Sequence, residues 1–125
     1  MDLQILATEV LAIHDCTVIF GHRTEIEQQK LFNEGKTKKQ WPDSKHNQLP
    51  SLAIDLVPYV PGVNAWDMEY SLYFAGLVLG TADMLNKMGT ITNRVRWGGN
   101  WSTQRDRNWK LNTFYDGLHF ELIGP

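Results

Sequence analysis

Ser44-Lys45-His46-Asn47-Gln48-Leu49-Pro50-Ser51-Leu52-Ala53-Ile54-Asp55-Leu56-Val57 is the stretch whose reading decides the fold. Its first half continues a polar segment that begins near Lys36 and contains Pro42 and Pro50, so it reads as an irregular loop. Its second half, Ala53 to Val57, is a short apolar run and reads as a strand with one out-of-character residue, Asp55. A carboxylate flanked by Ile54 and Leu56 has to be paired, hydrogen-bonded or metal-bound. A second stretch, Asp116-Gly117-Leu118-His119-Phe120-Glu121-Leu122, supplies a final strand over Leu118 to Leu122, in which His119 and Glu121 share a face.

Working outward, Leu3, Ile5, Leu6, Val10 and Ile13 recur at near-helical spacing and predict a helix over Asp2 to His14. Thr17 to Phe20 is β-branched and aromatic and ends at Gly21, as a short strand does. Thr24 and Glu27 form a capping-box pattern opening a second helix to about Asn33, with Ile26, Leu31 and Phe32 expected on its apolar face and Gly35 just past its end. Trp66 to Met88 is the longest periodic segment, with Tyr70, Phe74, Leu77, Val78 and Leu85 as its stripe. Gly76 and Gly80 inside it weaken the helix or mark close packing on a neighbour. Val95 to Trp97 predicts a third strand, and Ser102 to Thr113 a surface loop. The expected fold is α+β, a small, mostly antiparallel sheet with helices packed on one side and the functional site on the sheet.

His46, Asp55 and His119 form a three-ligand set of two imidazoles and a carboxylate, the kind that holds zinc and leaves a fourth position for water. Ligands on neighbouring strands can converge, because strands lie about 4.8 Å apart. A structural reading stands beside this one: the histidines are satisfied side chains, and Asp55 bonds a helix N-terminus or pairs with Arg23. Either Asp116 or Glu121 can act on the water, since Gly117 lets the chain bring Asp116 round to the metal.

Length and charge narrow the classes. A chain of 125 residues is one domain's worth, 1–125, with room for a core and no need of disulfides. Cys16 is the single cysteine and cannot form an internal disulfide. A net charge of −2 gives no global basic field for nucleic acid. The longest uncharged apolar stretch, around Ser71 to Thr81, is too short to span a membrane, and no targeting segment is evident, so neither export nor a stable membrane association is expected. Two basic runs stand out: Lys36, Lys38, Lys39 and Lys45 before His46, and Arg94, Arg96, Arg105, Arg107 and Lys110 around Gly98-Gly99. Such runs are usually solvated surface; the alternative is that they attract carboxylates or an anionic polymer.

Taken together, the blocks Gly21-His22-Arg23-Thr24, Gln28, Leu31 to Gly35, Ser44-x-His46, Ala53-x-Asp55, Arg96 to Trp101, and Asp116-x-x-His119-Phe120-Glu121-Leu122 resemble zinc peptidases. The group is that of the D-Ala-D-Ala carboxypeptidases and phage L-alanyl-D-glutamate endopeptidases, the hedgehog-like peptidases. The resemblance implies a zinc-dependent endolysin acting on the peptidoglycan stem peptide at the L-Ala–D-Glu bond. It implies zinc on His46, Asp55 and His119, and it makes Asp116 the base, leaving Glu121 to support a ligand. Arg23 matches the family arginine that contacts substrate and stabilises the oxyanion. Ser44 and Trp101 are expected at the substrate, whereas Trp97 is expected in the core. Rival readings are a D-Ala-D-Ala carboxypeptidase or dipeptidase, and a non-catalytic zinc-stabilised binding module. The expected actor is a monomer made in the host cytoplasm and admitted to the wall by a holin-type lesion. The chain departs from the commoner pattern in having eight residues between His46 and Asp55, and in carrying His22 where tyrosine is usual.

Overall fold

A computed structural model of the chain describes residues 1–101, 110–111 and 115–125. Most of the expected surface loop over 102–113, with Arg105 and Arg107, lies outside the described residues. The order of elements is α1 (Asp2–Ile13), β1 (Cys16–Phe20), α2 (Glu25–Asn33), a one-turn 3-10 helix (Lys45–Asn47), β2 (Ala53–Pro58), α3 (Met68–Lys87), β3 (Val95–Trp97) and β4 (His119–Leu122). The strands form one antiparallel sheet in the order β1-β2-β4-β3.

The period-2 alternation of strands explains how the sheet divides its labour. Ile54 and Leu56 of β2, Phe120 and Leu122 of β4, and Val95 and Trp97 of β3 point to one face and join a single core cluster. Leu3, Leu6 and Val10 of α1 and Phe74, Ala75, Val78, Ala82 and Leu85 of α3 close that face. The opposite face carries the interleaved residues: Asp55, His119, Glu121 and Arg96. Burial of the apolar side therefore forces the polar side of the same strands outward together, because a one-residue slip would exchange the two sets.

Local signals set the element ends. Thr24 caps α2 through a complete capping box with Glu27. Asp67 caps α3, and Gly35 and Gly89 take the positive φ that follows α2 and α3. His14 is the C-cap residue of α1, with its ring bonded to the Asp15 carbonyl and the Tyr70 hydroxyl.

Two expectations are corrected. Ile26 is 82% exposed, and the buried residue of α2 is the polar Gln28. This short helix is anchored through that amide, which donates to the Lys39 carbonyl and accepts from Asn47 Nδ2, so its sequence needs no apolar stripe there. Gly76 and Gly80 do not mark close packing. Both are exposed, and a methyl group at either would meet no atom within 4 Å. Among the described residues no helix is long and apolar enough to cross a membrane.

Candidate metal centre and active site

The centre is built where β2, β4 and the 3-10 helix meet. Asp55 and His119 are direct cross-strand partners. His46 arrives from the 3-10 helix, whose Ser44 N-cap hydroxyl accepts from the His46 amide while the Ser44 amide donates to Asn47 Oδ1. The turn after β1 is stitched to the same helix. Arg23 N donates to the His46 carbonyl (2.8 Å), and Asn47 Nδ2 donates to the Arg23 carbonyl (3.3 Å). The long spacing between His46 and Asp55 is absorbed locally. Leu52 N donates back to the Lys45 carbonyl (3.1 Å), and the intervening Gln48, Leu49 and Pro50 project into solvent.

His46 Nε2, His119 Nδ1 and Asp55 Oδ1 form a nearly equilateral triangle with sides of 3.2, 3.2 and 3.3 Å. A tetrahedral ion with donors at about 2.0–2.1 Å sets those donors about 3.3 Å apart, so the triangle has the size one ion requires. The protons are arranged to suit. His46 Nδ1 donates to the Gly21 carbonyl at 2.7 Å, and His119 Nε2 donates to Glu121 Oε1 at 2.8 Å. Each outer bond fixes the tautomer that aims a lone pair inward. Three acceptors with no donor among them, all buried, call for a cation.

The electrostatics agree. Burial pushes the Asp55 carboxyl upward, but the His119 and His46 rings set against it outweigh burial and hold it far below the usual carboxylate range. Burial pulls His119 down, yet Asp55 and Glu121 flank it and raise it to about 9, so a proton stands in where a cation is wanted. Asp55 uses its other oxygen, Oδ2, to accept from Arg23 Nη2 at 3.0 Å. The pairing of Asp55 with Arg23 and its place among the metal donors are thus compatible, one oxygen for each.

The two candidate carboxylates differ sharply. Glu121, 6% exposed, accepts from Arg96 Nε (2.9 Å) and Nη2 (2.8 Å) and from Lys45 Nζ (3.0 Å) in addition to His119. Burial opposes its ionisation, but these donors lower it to about 2. Asp116 is half-buried, and burial raises its pKa despite the nearby His119. Its backbone is clamped: Asp116 N donates to the Gly98 carbonyl (2.9 Å), and Gly98 N donates to the His119 carbonyl (2.7 Å). A Cβ on Gly98 would lie 2.3 Å from the Asp116 carbonyl oxygen, so the close approach requires glycine there.

The centre opens on a cavity of about 340 Å³, bordered by Arg23, Ser44, His46, Trp101, Asp116 and His119 and by a wall of lysines. The Trp101 ring lies 5.4 Å from that of His119. Ser44 borders the cavity too, with its hydroxyl oxygen already accepting the His46 amide. Trp97 is core, 5% exposed, with its indole N–H on the Gly117 carbonyl. Sequence reasoning missed Gly98, Asn47 and the Lys45–Arg96 pair on Glu121. Of these only Asn47 left a local trace, three residues after Ser44 where a cap partner stands.

An antiparallel sheet whose polar face gathers two imidazoles, a carboxylate and an elevated second carboxylate beside one cavity defines a metallopeptidase-type hydrolase. The chain belongs to the phage L-alanyl-D-glutamate peptidase family, whose model matches residues 1–123. Among solved structures it is similar to the Serratia marcescens L-Ala D-Glu endopeptidase ChiX, with 26% identity and a TM-score of 0.70 over 98% of this chain and 78% of that one. It also shares the fold of the vancomycin-resistance D,D-dipeptidase VanXYg, solved with a D-Ala-D-Ala phosphinate analogue. There the identity is 16% and the TM-score 0.52, over 98% of this chain and 48% of that one. No curated protein sequence matches it.

Proposed function

We propose that this peptidase cleaves the L-Ala–D-Glu bond of the peptidoglycan stem peptide, with zinc held by His46, Asp55 and His119. The observation that carries the reading is the triangle of inward lone pairs at 3.2–3.3 Å. Its donor set, two nitrogens and a carboxylate oxygen, suits zinc. When bound there, zinc would acidify water from a pKa of about 15.7 to roughly 7 and polarise a carbonyl.

The chain's own residues divide the remaining work. Asp116 is the general base: its carboxylate takes a proton from the attacking water and returns it to the leaving amine. Its raised pKa suits both halves of that transfer. Glu121, lowered to about 2 and surrounded by donors, is a poor base, and it serves instead to hold the His119 ring. Arg23 Nη2 orients Asp55, while its buried Nε has no hydrogen-bond partner among the described residues. The Arg23 side chain borders the cavity, which supports a role for its guanidinium at the developing oxyanion. Trp101 and Ser44 border the space the peptide would occupy. On this reading the chain works as a monomer at the wall, reaching it after a holin-type lesion, and binds neither nucleic acid nor membrane stably.

Mass spectrometry of digested peptidoglycan tests the bond assignment. The expected products are stems that have lost their first residue; release of terminal D-Ala alone would mean a carboxypeptidase instead. Asp116→Ala is expected to keep one zinc per chain and to lose hydrolysis by about 10²–10⁴-fold, the usual worth of a general base. A variant that bound zinc and cut at the normal rate would remove Asp116 from the mechanism.

A further inference from the structure

One wall of the cavity is the segment Lys36-Thr37-Lys38-Lys39, every residue of which borders it. The deeper cations face carboxylates, Arg23 at 3.0 Å from Asp55 and Lys45 and Arg96 at 3.0 and 2.8 Å from Glu121, and on the wall Lys36 Nζ lies 3.3 Å from the Glu34 carboxylate. The segment from Glu34 to Lys39 brings three ammonium groups and one carboxylate to the mouth of the cavity, so the wall is net positive in a chain of net charge −2. The wall is also held in place. Gln28, fully buried, donates from Nε2 to the Lys39 carbonyl (2.6 Å), and its Oε1 accepts from Asn47 Nδ2 (3.2 Å). Lys39 N donates to Thr37 Oγ1 (3.3 Å). The lysine backbone thus shares one buried amide with the 3-10 helix that presents His46.

We propose that Lys36, Lys38 and Lys39 form a subsite for a free carboxylate on the leaving side of the scissile bond. This deepens the proposed function and rests on it. The residue beyond the bond, D-Glu, continues the stem through its γ-carboxyl, so its α-carboxylate stays free and sits one carbon from the amide nitrogen that leaves. The residue before the bond, L-Ala, carries no side-chain charge. Charge complementarity therefore assigns the lysine wall to the leaving side. Lysine ammonium groups on flexible stems gain Coulomb energy from a carboxylate that they do not gain from its amide. The wall would thereby select stems with a free D-Glu α-carboxyl over stems amidated there.

The test uses two synthetic peptides, acetyl-L-Ala-γ-D-Glu-L-Lys and the same peptide with the D-Glu α-carboxyl amidated. The full chain carrying zinc is expected to favour the free acid about tenfold in kcat/KM, mainly through KM. That is the order of a few solvent-exposed charge contacts. The triple variant Lys36→Gln/Lys38→Gln/Lys39→Gln is expected to bring the ratio close to one at unchanged zinc content. Calorimetric binding of the two leaving-side products should show the same ratio without turnover. Equal cleavage of both peptides by the wild type, or a preference that survives in the triple variant, overturns the subsite. So does a triple variant impaired on intact walls alone, since the lysines would then serve an anionic wall polymer. A zinc-loaded wild type that cuts neither peptide overturns the proposed function, and the subsite falls with it.

Discussion

Glu121→Gln is the perturbation that probes the centre most sharply, because one buried carboxylate there serves three partners. Its Oε1 takes the His119 proton at 2.8 Å, and its Oε2 takes Arg96 at 2.8–2.9 Å and Lys45 at 3.0 Å. Glutamine keeps the shape but turns an NH2 toward donors on one side. Losing one member of a buried charge network costs about 3–5 kcal/mol. Here Lys45 and Arg96 are 35% and 29% exposed at the side chain and can turn to water, which reduces the loss to about 2–3 kcal/mol. The pKa of Glu121 gives a similar figure: lowered from 4.5 to about 2, it corresponds to about 3 kcal/mol of preference for the charged form in the folded state. The raised His119, at about 9, reports the same ion pair from the other side and is not added to it. A depressed carboxylate stabilises above its unfolded pKa of 4.5, and that stability is lost as pH falls toward 2. A raised imidazole stabilises below 6.5, and that stability is lost as pH rises through 9. The metal-free protein therefore gains most from the pair between about pH 4.5 and 6.5. Urea unfolding of metal-free wild type and Glu121→Gln at pH 6 should differ by about 2–3 kcal/mol, and the gap should narrow by pH 10. Chelator competition should show zinc affinity reduced about 10–100-fold, as for loss of a carboxylate behind a histidine ligand. A stability difference below about 0.5 kcal/mol at pH 6, together with equal zinc affinity, would refute the assignment of Glu121 as the anchor of His119.

Three further outcomes are expected. Zinc must displace the His119 proton, so its apparent affinity should rise about tenfold per pH unit between 7 and 9 with release of one proton, read by calorimetry in buffers of different ionisation enthalpy; a flat profile would contradict the raised pKa. Gly98→Ala places a methyl carbon 2.3 Å from the Asp116 carbonyl oxygen, and should cost about 1–3 kcal/mol and at least about tenfold in turnover by shifting the base, with zinc still bound. Gly76→Ala and Gly80→Ala, at exposed helical positions with nothing within 4 Å, should each stabilise by about 0.5–1 kcal/mol in urea titrations; destabilisation would show that the helix face is occupied.

Much of the molecule was legible because its signals are local. The Thr24–Glu27 box, the positive-φ glycine after α2, and the lone carboxylate inside Ala53 to Val57 each act within a few residues, and all appear where the chain predicts them. Ile26 was misjudged because its apolar character was read without knowing that α2 is fastened through a buried amide. Asp55 was open to a metal, a helix N-terminus or Arg23; its Oδ2 pairs with Arg23, and its Oδ1 stands with His46 and His119 because a carboxylate has two oxygens.

What the sequence by itself determined is the alternation that sends Ile54, Leu56 and Phe120 inward and Asp55, His119 and Glu121 outward, together with the donor types that suit zinc. Which carboxylate is enclosed by donors was decided only by the tertiary structure. Glu121 is surrounded because β3 brings Arg96 opposite it and the loop before β2 brings Lys45, while Gly98 lets Asp116 approach closely beside His119. Those contacts join segments far apart in the chain. Strand register and close backbone approach set them, and neither leaves a periodic trace in the sequence.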